Sequence, residues 1–189
     1  MGYSTVMTIA PMLTVIGALC IMEHFLGFDS VGYATRELFS CTVLYIFIFS
    51  LLTASPFNSV LSKYMSDIIY EETFEDILPC YYVGMILNIT FSALFGIPFC
   101  IHEYLVGNVD IIYVFTGYCG FVALVLVFYS MLYLSICKDY KKISFFFMIG
   151  MTVTVLLSFL FVKVIHMSIT YGMLLALAIG FWLIACLEF

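Results

Sequence analysis

The chain has 189 residues, of which 65% are hydrophobic, 19% aromatic and only 10% charged, and its formal net charge is −6. An ordinary soluble domain carries about 25% charged residues, so this composition, with a mean hydropathy of +1.20, excludes a water-soluble globule with a polar surface. What remains is a chain of single-domain size whose outer surface meets lipid.

The few charged residues are segregated. No Asp, Glu, Lys, Arg or His occurs in 1–22, 38–62, 77–101, 111–137, 143–162 or 167–187, runs of 20 to 27 residues. At 1.5 Å rise per residue, a hydrocarbon core of about 30 Å needs about 20 apolar residues, so each run is long enough to cross. The expected spans are roughly 5–25, 38–62, 77–101, 111–136, 143–163 and 169–188. A backbone in hydrocarbon satisfies its own N–H and C=O groups only as a helix or a closed barrel. Continuous apolarity, without the ten-residue alternation of barrel strands, selects helices. The expected fold is an all-α membrane protein, a six-transmembrane-helix bundle forming a single transmembrane domain over 1–189.

In chain order, the first run, "GYSTVMTIAPMLTVIGAL", carries Pro11 in its interior. It lacks a basic lead-in and a small-residue cleavage site, so it reads as a retained first helix rather than a signal peptide. Glu23 and His24 close it. The second run holds Pro56 and Asn58; Pro11 and Pro56 each remove a backbone hydrogen bond and are candidates for a packing kink or for a hinge lining a cavity. Next comes "SKYMSDIIYEETFEDI", with Met65, Ile68 and Ile69 on one helical face and Asp67, Glu71, Glu72, Glu75 and Asp76 in water. This pattern predicts a helix extension and a turn.

Asn88, in the third run, sits in the formal sequon "NIT", but its place in the middle of an apolar run keeps it from a lumenal transferase. It is grouped with Asn58 as a candidate cavity-lining amide. His102 and Glu103 end that run and are followed by Tyr104, Leu105 and Val106, so the second histidine of a zinc-protease helix is missing. "KDYKK" at 138–142 is a positive stop, and the fifth run ends at Lys163 and His166. The seven cysteines, at 20, 41, 80, 100, 119, 137 and 186, form no C-x-x-C and read as small packing residues.

With the N-terminus inside, four of the six basic residues (Lys63, Lys138, Lys141 and Lys142) fall on the cytoplasmic side. Both termini are then expected in the cytoplasm of a multi-pass protein of the cell (inner) membrane. The outward ends of helices one, three and five carry Glu23, His24, His102, Glu103 and His166. These are candidates for an outer mouth, or simply residues tolerated at the interface. No nucleophile elbow, Walker loop, dinucleotide turn or carboxylate pair within a span is present. An enzyme is not expected, and no cofactor, metal or nucleic-acid partner is expected.

The stretch 51–84, "LLTASPFNSVLSKYMSDIIYEETFEDILPCYYVG", resembles the second-helix and loop region of the Pel exopolysaccharide transporter family, PelG, a branch of the MOP flippase superfamily with MATE-like lobes. The family pattern is roughly a small residue and proline, then V-L-x-R-Y-x-[AS]-D-x-[LI]-Y, an aromatic, and I-x-P opening the third helix. Pro56, Val60, Leu61, Tyr64, Ser66, Asp67, Tyr70, Phe74, Ile77 and Pro79 match it. Residues 2–19, with Pro11, look like the family's first helix. Lys63 stands where the family usually has Arg, Ala10 and Ser55 where glycine is common, and the basic lead-in is absent.

The resemblance implies twelve helices in two six-helix lobes, of which this chain matches the first. It also implies alternating access of a cavity, an amino-sugar polymer as substrate, and a second lobe or other export-complex subunits as partners, in the lipid bilayer. Pro56, Lys63, Tyr64, Asp67, Tyr70 and Pro79 become candidates for a cytoplasmic gate, although Lys63 and Asp67, four apart on a helix, can also simply pair. The other reading is a non-catalytic membrane scaffold or sensor subunit.

Overall fold

The computed structural model describes residues 2–70, 77–136 and 140–188, with side chains from Leu13 onward except those of Asp29, Ile69, Ile136 and Tyr140. Most of the predicted acidic turn (71–76) and part of the positive stop (137–139) therefore lie outside the described residues. All the described elements are helical. They are α1 (Gly2–Phe25), α2 (Tyr33–Tyr70), α3 (Ile77–Leu105), α4 (Ile111–Ile136), α5 (Tyr140–Phe159) and α6 (Ile169–Glu188). A 3₁₀ turn (Phe28–Ser30) joins α1 to α2, and a π-helical turn (Leu160–Val164) extends α5. The chain is an all-α, six-helix membrane bundle.

Helix is the local solution because it leaves no backbone group unpaired in hydrocarbon. The side-chain hydroxyls follow the same logic: Thr42 donates to Leu38 O, Ser50 to Ile46 O, Thr90 to Ile86 O, Thr116 to Ile112 O and Thr152 to Met148 O, each one turn back on its own helix. Pro56 lies inside α2 and Pro98 inside α3, so the carbonyls of Leu52 and Leu94 lose their usual N–H partners. Pro79 falls in the first turn of α3, where a missing N–H costs nothing. Pro11 lies within α1, and its side chain is outside the described ones.

α2 runs 38 residues, about 57 Å at 1.5 Å per residue, and overshoots the uncharged run 38–62 at both ends. The charged residues that bound the run, Arg36 and Glu37 at one end and Lys63 and Asp67 at the other, continue the helix. Tyr33–Ile68, Ile77–Leu105, Ile111–Ser135, Lys141–Val164 and Ile169–Glu188 are each long and apolar enough to cross a bilayer, and Leu13–Phe25 is a shorter apolar stretch.

At the centre lie α4 and α6: α4 packs on α6, α2 and α3; α6 packs on α5; and α5 packs on α1. Ala123, Leu124, Val125, Val127, Met173 and Leu174 form the seam, all essentially inaccessible. Between α5 and α6 the backbones approach at two glycines. A Cβ on Gly180 would overlap Thr154 Oγ1, and one on Gly150 would overlap the Ile184 side chain. The interior takes the small polar residues Ser50, Asn88, Ser92, Thr154 and Ser158, while Leu52, Val60, Ile86 and Leu94 face outward. That inversion is what lipid as solvent permits, since apolar side chains lose nothing there.

The helices alternate in direction. Phe25 meets Phe159, Tyr45 meets Phe99 and Tyr113 meets Tyr171. The ends of α1, α3 and α5 therefore share one end of the bundle with the starts of α2, α4 and α6. We call it the histidine end, and the opposite one the tyrosine end.

Candidate functional site

α1 and α2, although consecutive, do not pack closely: α1 lies on α5 and α2 on α4. The turn between them explains the separation. Gly27 takes a left-handed conformation (φ 72°), and Ser30 Oγ donates to Gly27 O at 2.6 Å, so the chain reverses and sends α2 away. The cleft that results, about 620 Å³, is lined by Cys20, Glu23, His24, Phe28, Tyr33, Arg36, Glu37, Ser40 and Cys41.

Its polar groups are held in place. The Tyr33 hydroxyl donates to Glu37 Oε1 at 2.5 Å, one turn along α2. The Arg36 guanidinium lies 5.9 Å from the Phe28 ring centroid, a cation–π contact, and Phe28 is buried edge-on against Phe39 at 5.5 Å. His24 stacks edge-on with Phe25 at 5.3 Å. The cleft thus presents two carboxylates, a guanidinium, an imidazole and a phenol on one surface. Such a set can bind a polyhydroxylated ligand that carries amines.

All three histidines lie at this end, and all are exposed. Glu23 and His24 line the α1–α2 cleft. His102 Nδ1 lies 3.6 Å from Glu103 Oε1, and Glu103 lines a separate cavity between α2, α3 and α4. His166 sits beyond the π turn in a left-handed conformation (φ 58°). The start of α6, three residues further along the chain, is tied to the start of α4 by Tyr171 Oη donating to Asp110 Oδ2 at 2.8 Å.

The family-motif residues from Pro56 to Tyr70 occupy the far end of α2 in two faces, Ile77 and Pro79 open α3, and Phe74 lies outside the described residues. Val60, Tyr64 and Asp67 are exposed, as are Lys63 and Tyr70, whereas Leu61, Met65 and Ile68 are buried. Among the described residues no ion pair joins Lys63 to Asp67. Leu61 and Met65 pack with Tyr81 and Tyr129 into a compact cluster. In it Tyr81 Oη and Ser130 Oγ share a hydrogen bond of 2.7 Å, and Tyr129 Oη donates to Tyr81 O at 3.0 Å. Asn58 reaches Phe128 O at 3.5 Å, and Asn88 donates to Gly84 O at 3.0 Å. The amide oxygens of both have no partner among the described residues, and neither residue lines the two cavities described here.

Sequence reasoning passes over Tyr33, Arg36 and Glu37 and gives no weight to the tyrosine cluster. The signal for the first group was present, because 23–37 gathers Glu, His, Asp, Arg and Glu within one turn of chain. Glu188 was also read only as the end of a span. It is buried, and both carboxylate oxygens lack a hydrogen-bond partner among the described residues.

The family model described as "PelG: Putative exopolysaccharide Exporter (EPS-E)" matches residues 1–189. No curated protein and no solved structure matches the chain.

Proposed function

The chain belongs to the PelG family of exopolysaccharide exporters, and from that premise we propose that it is one six-helix half of an exporter that moves an amino-sugar polymer by alternating access. The observation that carries this reading is the polar cleft between α1 and α2, set into the end of an otherwise apolar bundle. Glu23 and Glu37 bind the polymer's cationic amines, Arg36 and His24 bind its hydroxyls, and the exposed Tyr33 ring offers a face for a sugar to stack on.

Lys63, Lys141 and Lys142 lie near the tyrosine end, which supports a cytoplasmic tyrosine end with both termini inside the cell membrane and the cleft facing out. Pro56, Lys63, Tyr64, Asp67, Tyr70 and Pro79 then belong to the inner gate, and a second six-helix half, or another export subunit, supplies the opposing wall. Support for the gate is the motif itself together with its exposed face, which is free to meet such a partner.

Polymer export in a strain lacking its transporter tests the reading, with the chain expressed alone or beside a partner carrying the second half. Export is expected only with the partner, and a Glu23→Gln/Glu37→Gln double variant is expected to lower it several-fold at unchanged membrane level. Full export by the double variant would remove the cleft from the substrate path. Export by the chain alone would overturn the half-transporter assignment, and no export in either case, with the chain stably inserted, would favour a scaffold.

A further inference from the structure

A second space in the bundle, distinct from the cleft, is a mostly apolar cavity of about 540 Å³ between α2, α3 and α4 that starts at Glu103 and runs inward past Tyr45, Phe49, Phe95 and Phe99. On its outer side the Tyr45, Phe49 and Phe99 rings lie 5.6 to 6.4 Å apart and bridge α2 to α3. Its inner wall is Gly117, where a Cβ would only touch Thr42. Phe91 lines it at depth and is met edge-on by Phe57. Below that level lies the packed tyrosine cluster, so the groove is blind.

We propose that this groove holds one acyl chain of a bilayer phospholipid whose headgroup carries an amine. Chemistry disfavours a sugar, because the lining is mostly aliphatic and aromatic and the Thr42 hydroxyl already donates to Leu38 O and meets Tyr113 Oη at 3.4 Å. A sugar would leave its own hydroxyls unpaired against aromatic rings. Size excludes a helix. From Leu38 to Thr53 the lining follows α2 for about 20 Å, so 540 Å³ leaves a mean section under about 30 Å². A helix about 10–12 Å across needs roughly 80 Å² or more. A methylene chain, whose carbons keep about 4 Å from their neighbours, fits that section. The depth also suits one leaflet, somewhat more than half of an about 30 Å core.

Charge selects the headgroup. Glu103 is the one charged residue among those lining the cavity, and no lysine or arginine lines it. A carboxylate at the mouth attracts an ammonium and repels a headgroup with net negative charge. The inference does not depend on the α1–α2 cleft, whose residues are different apart from Cys41.

The test is native mass spectrometry of the purified chain in detergent, offered phosphatidylethanolamine or phosphatidylglycerol with identical acyl chains. One phosphatidylethanolamine per chain is expected to survive delipidation. Gly117→Leu fills the inner wall, and Leu52→Trp blocks the lateral side from a position already 66% exposed. Each is expected to lower occupancy roughly tenfold. Leu156→Trp, at a 64% exposed site on α5, is expected to change nothing, and Glu103→Gln to erase the headgroup preference while the chain stays bound. Undiminished adducts in both filling variants, or equal loss in Leu156→Trp, would overturn the site. Equal retention of the two lipids by the unmodified chain would overturn the headgroup assignment. A dimer abolished by Leu52→Trp, with no lipid retained, would give the groove to a second copy of the chain.

Discussion

The two ends of the bundle are built on opposite plans from the same three helices. At the tyrosine end α2, α3 and α4 meet through large side chains and interhelical hydrogen bonds, with Met65 and Tyr129 fully inaccessible. The Tyr129 ring occupies the space that a side chain at 84 would need, so Gly84 lets α3 and α4 close. At the histidine end the same helices separate around an apolar groove, and α1 stands off from α2 around a polar cleft. The bundle is therefore clamped at one end and spread at the other.

Three measurements can break or sharpen this contrast. The largest effect belongs to Tyr129→Ala, which removes a fully buried ring stacked 5.3 Å from Tyr81. It is expected to cost about 3–5 kcal/mol in a denaturing-detergent titration followed by circular dichroism. Tyr45→Ala at the open end should cost under about 1 kcal/mol in the same titration, and equal losses would mean that the two ends are not different in kind.

A middle-sized effect is expected for Tyr81→Phe, which leaves the Ser130 hydroxyl without its 2.7 Å partner. About 1 kcal/mol is expected, and a Tyr81→Phe/Ser130→Ala double variant that recovers part of that loss would locate it in the hydrogen bond. The smallest effect on stability, within about 0.5 kcal/mol, is expected for Lys63→Ala and Asp67→Ala on the exposed face of α2. Their readout is polymer export by a complete transporter: reduced export at unchanged stability supports the gate, and unchanged export by both removes it.

The fold class was legible because it rests on a coarse signal, long stretches without charge, that hydrocarbon enforces. Which side of each helix faces inward was not. In α2, Leu38 and Phe39 are adjacent and equally apolar, yet one is exposed and the other buried. A helix surrounded by lipid and protein is apolar all round, so it has no amphipathic face to read. Ser50, Ser92 and Thr154 lie in the interior, but Thr90 and Thr152 are exposed, so the small polar residues do not mark the inner face either.

The candidate cleft was half legible. Glu23 and His24 stood out as charges closing a span, but their companions Tyr33, Arg36 and Glu37 come from the next helix, and only the sharp turn at Gly27 brings them together. The candidate outer-mouth residues were grouped by their position at helix ends; of them, Glu23 and His24 line the α1–α2 cleft and Glu103 the cavity between α2, α3 and α4.

The hydroxyls that bond one turn back along their own helices bear on biogenesis. A span whose Thr and Ser groups are already satisfied can leave the insertion machinery for lipid singly, before any neighbour has been made. Thr90, Thr116 and Thr152 travel on those terms. The amide oxygens of Asn58 and Asn88 and the carboxylate of Glu188 do not, and α2, α3 and α6 are the segments whose release would be delayed until a companion arrives.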